Sequence, residues 1–354
     1  MRIAFPVFSL GQSGGVKMLV RLADSLAARG HEVVMLVPER ARMDLMPKLA
    51  KARTFSPIAS LDGHKPIPLF DALLPGKSLN IIYPMARCLN DYDMAIANLG
   101  PTALAVKMSS CQNSYYFVQH DETLFFSRLG IDYWITRWSY KVFALGHVIT
   151  TSCWLRDVLA KRIGYEPPRI PIGIDHEVFY PRMGSGPPKD TVLFFSRSEK
   201  WRGMNTFFKA MERVRLTFPD IEAIGIGNRN PQFNPSFPVQ YLKPSDDQLA
   251  ELYSSASLFV LTSVAEGFAA PPLEAMACGT PVVLTDCLGA RDFAVDGFNC
   301  LMAPADSWEM VAKQIVRGLS NVMVRDKLIH NGLLTSQTRT FDRMEEAFAR
   351  IIGG

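Results

Sequence analysis

No run of about 18 uncharged apolar residues occurs anywhere in the chain, so no transmembrane helix is expected. Cysteine is sparse and never occurs as Cys-x-x-Cys. The six thiols, Cys88, Cys111, Cys153, Cys278, Cys287 and Cys300, are scattered, several of them in apolar runs. They read as reduced, mostly buried groups of a reducing compartment rather than a disulfide framework. The Gly-x-Gly-x-x-Gly fingerprint of dinucleotide sites is missing, as are low-complexity tracts and short-period repeats. Charge is modest: 20% of residues, with a formal net charge of +4. That excess is too small to imply nucleic acid; it suits an anionic small ligand or loose contact with an acidic membrane surface. The opening residues, MRIAFPVFSL, hold an apolar run too short for a signal peptide and no small-residue cleavage site. A cytoplasmic location is therefore expected, with peripheral contact to the inner membrane surface left open.

The 354 residues, 48% of them hydrophobic, suffice for two domains with a core each. Arg2 to Phe8 reads as a buried strand, and Val16, Leu19, Val20, Ala23, Leu26 and Ala27 recur at helical spacing up to Gly30. With a strand over Glu32 to Val37 this makes a βαβ unit. Apolar runs at Met94 to Ala97, Tyr115 to Val118 and Val148 to Thr151 continue the alternation. A Pro- and Gly-rich stretch over 171–190 reads as a linker. A second series follows, with strands at Thr191 to Phe195, Glu222 to Ile226, Leu258 to Leu261 and Pro281 to Thr285. The expected fold class is α/β, two Rossmann-like domains over 1–170 and 191–340, with an amphipathic helix in 341–354 packed back on the first domain.

The strongest chemical signal is Glu266-Gly-Phe-Ala-Ala-Pro-Pro-Leu-Glu274. Glu266 falls in the loop beyond the strand Leu258 to Leu261. Pro271 and Pro272 suit a helix opening, which would put Glu274 in the first turn, and Gly279 ends the helix. Ligands of open α/β sheets bind at this rim. Carboxylates there accept from ribose or sugar hydroxyls, and the amides of Gly267, Phe268, Ala269 and Ala270 suit a diphosphate. Alone, Glu274 could equally be a residue favoured by the helix dipole.

Three further groups stand at strand ends. Phe194-Phe-Ser-Arg197-Ser-Glu-Lys200-Trp-Arg202-Gly203 offers cations to a diphosphate; the alternative is a solvated basic loop. Gly11-x-x-Gly14-Gly15 could bring backbone close to a phosphate or be a plain tight turn. Glu39, past the second strand, could mimic the ribose-binding acid of an NAD site. Gln119-His120-Asp121-Glu122 places a histidine after a strand, in a spacing that matches no trusted metal-ligand pattern. His31, His64, His147 and His330 read as structural, and His176 stays undecided. The triplet Asp91-Tyr92-Asp93 precedes its strand and so faces the rim away from ligands.

Taken together, the Glu-x7-Glu segment, the Gly14-Gly15 turn, the His120 loop, Pro171-Ile-Gly-Ile-Asp175 and Asp296-Gly-Phe-Asn299 resemble the retaining "group 1" glycosyltransferases of family four. The similarity runs over nearly the whole chain. It implies the GT-B fold, two Rossmann-like domains facing across a cleft, the first for the acceptor and the second for a nucleotide sugar. By that resemblance Glu274 holds the nucleotide ribose, and Glu266 contacts the transferred sugar beside the Gly267 and Phe268 amides. His120 lies near the same sugar, and Gly14-Gly15 lines the donor phosphates or the acceptor pocket. Arg202 stands where the family usually has Lys before Gly, as in a rhamnosyltransferase-like branch, which makes Lys200 a second candidate cation.

The expectation is a retaining, metal-independent hexosyl- or deoxyhexosyltransferase acting on a saccharide or lipid-linked acceptor in polysaccharide or cell-envelope glycan synthesis. It would have no cofactor beyond the nucleotide-sugar co-substrate and no nucleic-acid partner. The rivals are an epimerase or NAD-dependent oxidoreductase on the same architecture and a silent sugar-binding relative. The aromatic segment from Phe125 to Phe143, with Arg128, Arg137 and Lys141, reads as a helix packed on the first sheet; the alternative is an interfacial face for a lipid-linked acceptor. The basic, Pro-broken stretch 65–87 is a similar candidate.

Overall fold

A computed structural model describes residues 1–11, 13–39, 41–56, 79–142, 147–182, 191–197, 199–229 and 232–353. His64, Phe143, residues 183–190 of the linker and most of the basic stretch 65–87 lie outside them. The chain divides into two compact units, Met1–Ile170 with Glu345–Gly354, and Pro171–Met344.

The first unit is built from β1 (Arg2–Pro6), α1 (Gly14–Ala28), β2 (Glu32–Pro38), β3 (Lys51–Phe55), α2 (Leu79–Leu89) and β4 (Met94–Ala97). Then come α3 (Gly100–Met108), β5 (Asn113–Val118), α4 (Ile131–Val142), β6 (Val148–Thr150) and α5 (Cys153–Ile163). Its sheet is wholly parallel, in the order β3-β2-β1-β4-β5-β6. Central strands such as Ile3-Ala4-Phe5 are covered on both faces and so are apolar without alternation.

The second unit holds β7 (Thr191–Ser196), α6 (Met204–Val214), β8 (Glu222–Gly227), β9 (Val239–Leu242), α7 (Asp246–Ser255) and β10 (Leu258–Leu261). It continues with α8 (Ala270–Ala277), β11 (Val282–Thr285), β12 (Leu301–Ala303), α9 (Trp308–Ser320), α10 (Val322–Gln337) and the start of α11 (Phe341–Ile352). Its sheet repeats the plan as β12-β11-β10-β7-β8-β9, again parallel. The buried face of α6, with Phe207, Met211 and Val214, covers this sheet, and Phe207 stacks on Phe194 of β7 at 4.0 Å. Near the end of the chain, Arg21 Nε donates to Glu345 Oε1 at 2.6 Å and Phe348 packs against Phe117, both within the first unit.

One local expectation is corrected and another is refined. Gly14 and Gly15 are not a turn but the first residues of α1, because Ser13 caps the helix by accepting from the Val16 amide. A Cβ at Gly15 would lie 2.6 Å from Gln119 Oε1, a contact that the flexible Gln119 side chain would have to move to relieve. The aromatic helix α4 is packed on one face only. Thr136, Ser139 and Tyr140 are buried, whereas Trp134 and Trp138 are each 59% exposed.

Candidate active site

In each sheet the strand order reverses once, between β1 and β4 and between β7 and β10. Such switch points leave a crevice beyond the carboxyl ends of the strands. In the second unit, the loops that follow β7 and β10 carry the two strongest sequence signals.

These loops are fastened to each other. Residues Lys200–Arg202 form one 3-10 turn, closed by Gly203 in the left-handed region with φ 66°. Gly203 presses on the Thr262 carbonyl so closely that no Cβ fits. The Thr262 hydroxyl donates to Gly203 O at 2.9 Å, and the Val264 amide donates to Trp201 O at 2.7 Å. A Gly203→Ala variant is therefore expected to lose about 2–3 kcal/mol from left-handed strain and overpacking. Urea unfolding measures it, and an unchanged midpoint would contradict this geometry.

The fastening brings Arg202 onto Glu266, whose Oε1 accepts from Arg202 Nη1 and from Ser263 Oγ. Glu266 Oε2 has no hydrogen bond among the described residues. Ser263 is itself held where Thr285 Oγ1 donates to its carbonyl at 2.6 Å. On the other side, the Glu266 amide donates to Cys287 O, and Gly289 backs the loop where a Cβ would meet Glu266 O and Gly267 O at 2.5 Å.

Arg197 lies within electrostatic reach of this pair. Burial, and then the charge of Arg202, hold its guanidinium below the ordinary arginine value, although Glu199 and Glu266 offset part of that. No described residue hydrogen-bonds it; it lies over the Phe195 ring, 5.3 Å from the centroid. Lys200 is exposed.

The segment after Glu266 sets up an anion site. Phe268 is buried against Phe293, and Ala269 is held at φ 69°, ψ 63°, a conformation uncommon for a residue with a Cβ. The amides of Gly267, Phe268 and Ala269 donate to no described residue. Helix α8 starts at Ala270, so Glu274 is its fifth residue and not in its first turn as the prolines suggested. Glu274 is half-buried, and its Oε2 accepts from the Tyr253 hydroxyl at 3.4 Å. Burial, and then the charge of Glu274, push the Tyr253 phenol well above its usual value, so it remains a donor. Cys287 is pushed up by burial and by Glu266, which keeps the thiol neutral and non-nucleophilic.

His120 belongs to the first unit. Its Nδ1 lies 3.2 Å from Asp121 O, its Nε2 is buried without a hydrogen-bond partner among the described residues, and its ring sits 5.0 Å from Phe125. Its neighbours are structural. Asp121 takes a two-pronged bond from Arg162 at 2.7 Å for each prong, and Glu122 accepts from the Gly100 amide and the Tyr116 hydroxyl. Glu39 accepts from Ser56 Oγ, and Asp91 and Asp93 engage Arg53 and the Arg2 amide. No group of three or more His, Cys, Asp or Glu able to hold a metal occurs among the described residues.

The family profile described as "Glycosyl transferases group 1" matches residues 189–321, which contain this whole site. Over 348 residues the chain is 25% identical to a phosphatidyl-myo-inositol mannosyltransferase of Mycobacterium leprae, covering 92% of this chain and 89% of that protein. Residues 189–321 thus carry the group 1 glycosyltransferase signature. A second relative, the N,N'-diacetylbacillosaminyl-diphospho-undecaprenol alpha-1,3-N-acetylgalactosaminyltransferase of Campylobacter jejuni, is 28% identical over 40% of this chain and 39% of its own. The fold is that of Anabaena HepE, solved with UDP-glucose, at a TM-score of 0.80 and 17% identity over 100% and 99% of the two chains. Two parallel six-stranded sheets flanked by helices are the GT-B architecture of such glycosyltransferases.

Within this site the structure adds residues that motif reading passed over: Ser263, Gly203, Gly289 and Tyr253. Ser263 lies two residues past β10 and could have been suspected from that place alone. The others depend on contacts between distant segments.

Proposed function

We propose that the chain is a retaining glycosyltransferase that moves a hexose or deoxyhexose from a nucleoside-diphosphate sugar to a saccharide or lipid-linked acceptor. It would do so without a divalent metal, on the cytoplasmic side, in polysaccharide or cell-envelope glycan synthesis. The observation that carries this reading is the unsatisfied positive field in the second unit's crevice. Arg197, after β7, is half-buried and has no hydrogen-bonded counter-ion among the described residues, and the Gly267, Phe268 and Ala269 amides, in the loop after the neighbouring strand β10, donate to no described residue. A diphosphate is the dianionic group that such a set of donors suits.

On this reading Arg197 and Arg202 take the diphosphate, with Lys200 at the edge, and Glu274 accepts from the ribose hydroxyls. Glu266, with Oε2 to spare, accepts from a hydroxyl of the transferred sugar. The bond from C1 of the sugar to the diphosphate oxygen breaks, and that oxygen keeps the electron pair. The acceptor hydroxyl bonds to C1 on the same face and passes its proton to the departing phosphate. Arginines in place of a metal supply the charge that grows on the leaving group. His120 and the start of α1 at Gly14-Gly15 would serve the sugar and acceptor side. That the Campylobacter relative acts on a diphospho-undecaprenol acceptor supports a lipid-linked acceptor here.

A melting-temperature panel of nucleoside diphosphates and their sugars tests the reading. A ligand present at about 100 times its Kd stabilises the folded state by about 2.7 kcal/mol. Glu274→Ala should weaken the binding nucleotide by about 1–3 kcal/mol, and it should also lower the unliganded melting temperature, because the buried Tyr253 hydroxyl loses its acceptor. A folded Glu274→Ala protein with full nucleotide affinity would remove the ribose role, and a panel without any shift would remove the donor site.

A further inference from the structure

Exposed apolar side chains of the described residues come singly or in pairs along the sequence, with one exception. Between β5 and the end of α4, Leu124, Phe125, Phe126, Leu129, Trp134 and Trp138 all reach solvent, and Leu129 is 97% exposed. A concentration of this kind exceeds the scatter normal for a protein surface. Trp134 and Trp138 are four residues apart on α4 and so share a face, opposite the buried Thr136 and Tyr140. Tyr133 packs edge-on against Trp134 at 5.3 Å.

The ridge cannot fold inward at low cost. Its base is the turn Glu122–Phe125, fixed by the Asp121–Arg162 fork, by the Gly100 amide on Glu122 and by the Tyr140 hydroxyl on the Glu122 amide. The charges around it are one-sided. From Leu124 to Lys141 the sequence has Arg128, Arg137 and Lys141 against one acid, Asp132. Arg128 and Lys141 are exposed, whereas the two preceding acids, Asp121 and Glu122, are buried and engaged. Indoles favour the layer between lipid headgroups and acyl chains, and Lys and Arg beside them meet lipid phosphates. A second copy of the same ridge would instead set cations against cations.

We propose that this ridge is the surface by which the protein docks on an anionic lipid bilayer. Leu129, Trp134 and Trp138 enter the headgroup layer, and Arg128 and Lys141 rest on its phosphates. This deepens the acceptor half of the proposed function by naming its partner surface, and it rests on that reading only for turnover. The loop carrying the ridge also carries His120, whose ring lies against Phe125. A hydroxyl held at the bilayer surface would thus arrive beside that loop.

The test uses the full chain without donor. It is mixed with vesicles of phosphatidylcholine alone, or with about one third phosphatidylglycerol to supply negative surface potential. Sedimentation and tryptophan emission are followed. The expected result is binding to the anionic vesicles at least about tenfold stronger than to the neutral ones, with a blue-shifted emission. Leu129→Ser/Trp134→Ser/Trp138→Ser should weaken binding by about tenfold or more, and Arg128→Glu/Lys141→Glu should abolish the preference for anionic lipid. If the triple variant melts early, Leu129→Ser alone replaces it. Wild-type protein that ignores anionic vesicles, or variants that bind as well as wild type, overturn the proposal. So does a dimer seen by light scattering that the triple variant dissolves and vesicles do not, because a second copy would then cover the ridge. Donor turnover is measured separately. Vesicle binding without any sugar transfer would remove the transferase reading and leave the docking surface standing.

Discussion

Arg197→Met is expected to lower kcat by about a hundred- to a thousandfold, the usual cost of removing one preorganised donor from a developing anion. The melting temperature should stay the same or rise. The two halves of this result come from one fact. In the free protein the guanidinium is partly buried, repelled by Arg202, and hydrogen-bonded by no described residue. Its charge therefore adds little to folding, and its replacement by a side chain of similar length leaves no polar partner stranded. In the transition state the leaving diphosphate supplies the missing counter-charge. The loss should fall mainly on kcat, because that charge grows as the C1–O bond breaks. Steady-state kinetics with the donor found in the melting panel, alongside calorimetry, measures both halves. A variant with near-normal kcat would move the diphosphate elsewhere, with exposed Lys200 the next cation to examine. A variant that unfolds would mean that Arg197 has a structural partner.

The parts of this architecture that were legible in the sequence are those where one local pattern suffices. Strands β1, β2, β7 and β10 are short apolar runs closed by a turn, and their alternation with helical spacing implies a parallel sheet. Strands β3, β9 and β12 were not legible. Lys51-Ala-Arg-Thr-Phe55 lies at the sheet edge with three exposed positions, and Leu301-Met-Ala303 is too short to show a period. Glu266, Glu274, Arg197 and Arg202 were legible as residue types beyond strand ends. Their mutual arrangement was not, because the Arg202–Glu266 pair depends on Gly203 meeting Thr262, two segments about sixty residues apart in sequence. The aromatic helix does pack on the first sheet, through Tyr140 on Tyr116, but which of its faces does so was not legible for a similar reason. Tyr140 and Trp138 are equally apolar in composition, and only the packed core decides which stripe turns inward.

The same limit applies to Arg162, which no motif marks and whose loss is expected to cost the first unit about 3–5 kcal/mol, the range for stripping one partner from a buried ion pair. Its guanidinium donates to both Asp121 oxygens at 2.7 Å and to Thr123 Oγ1, with the two charged side chains 12% and 4% exposed. Burial pushes the Asp121 carboxyl up. The Arg162 fork, with the Thr123 hydroxyl and amide, outweighs it and leaves the carboxyl below the usual carboxylate range. A depressed carboxylate contributes stability that is fully present above its unfolded value of about 3.9 and is lost as pH falls through the lower folded value. Wild type should therefore lose stability on acidification in that window. Arg162→Met should lose less over the same range, because its Asp121 no longer has a depressed value to titrate. Pairing Arg162→Met with Asp121→Asn should recover part of the loss, since the stranded carboxylate is then gone. Urea unfolding followed by near-ultraviolet circular dichroism at neutral and acid pH reads wild type and both variants. Equal stability of Arg162→Met and wild type at neutral pH would mean that the fork does not hold the His120 loop.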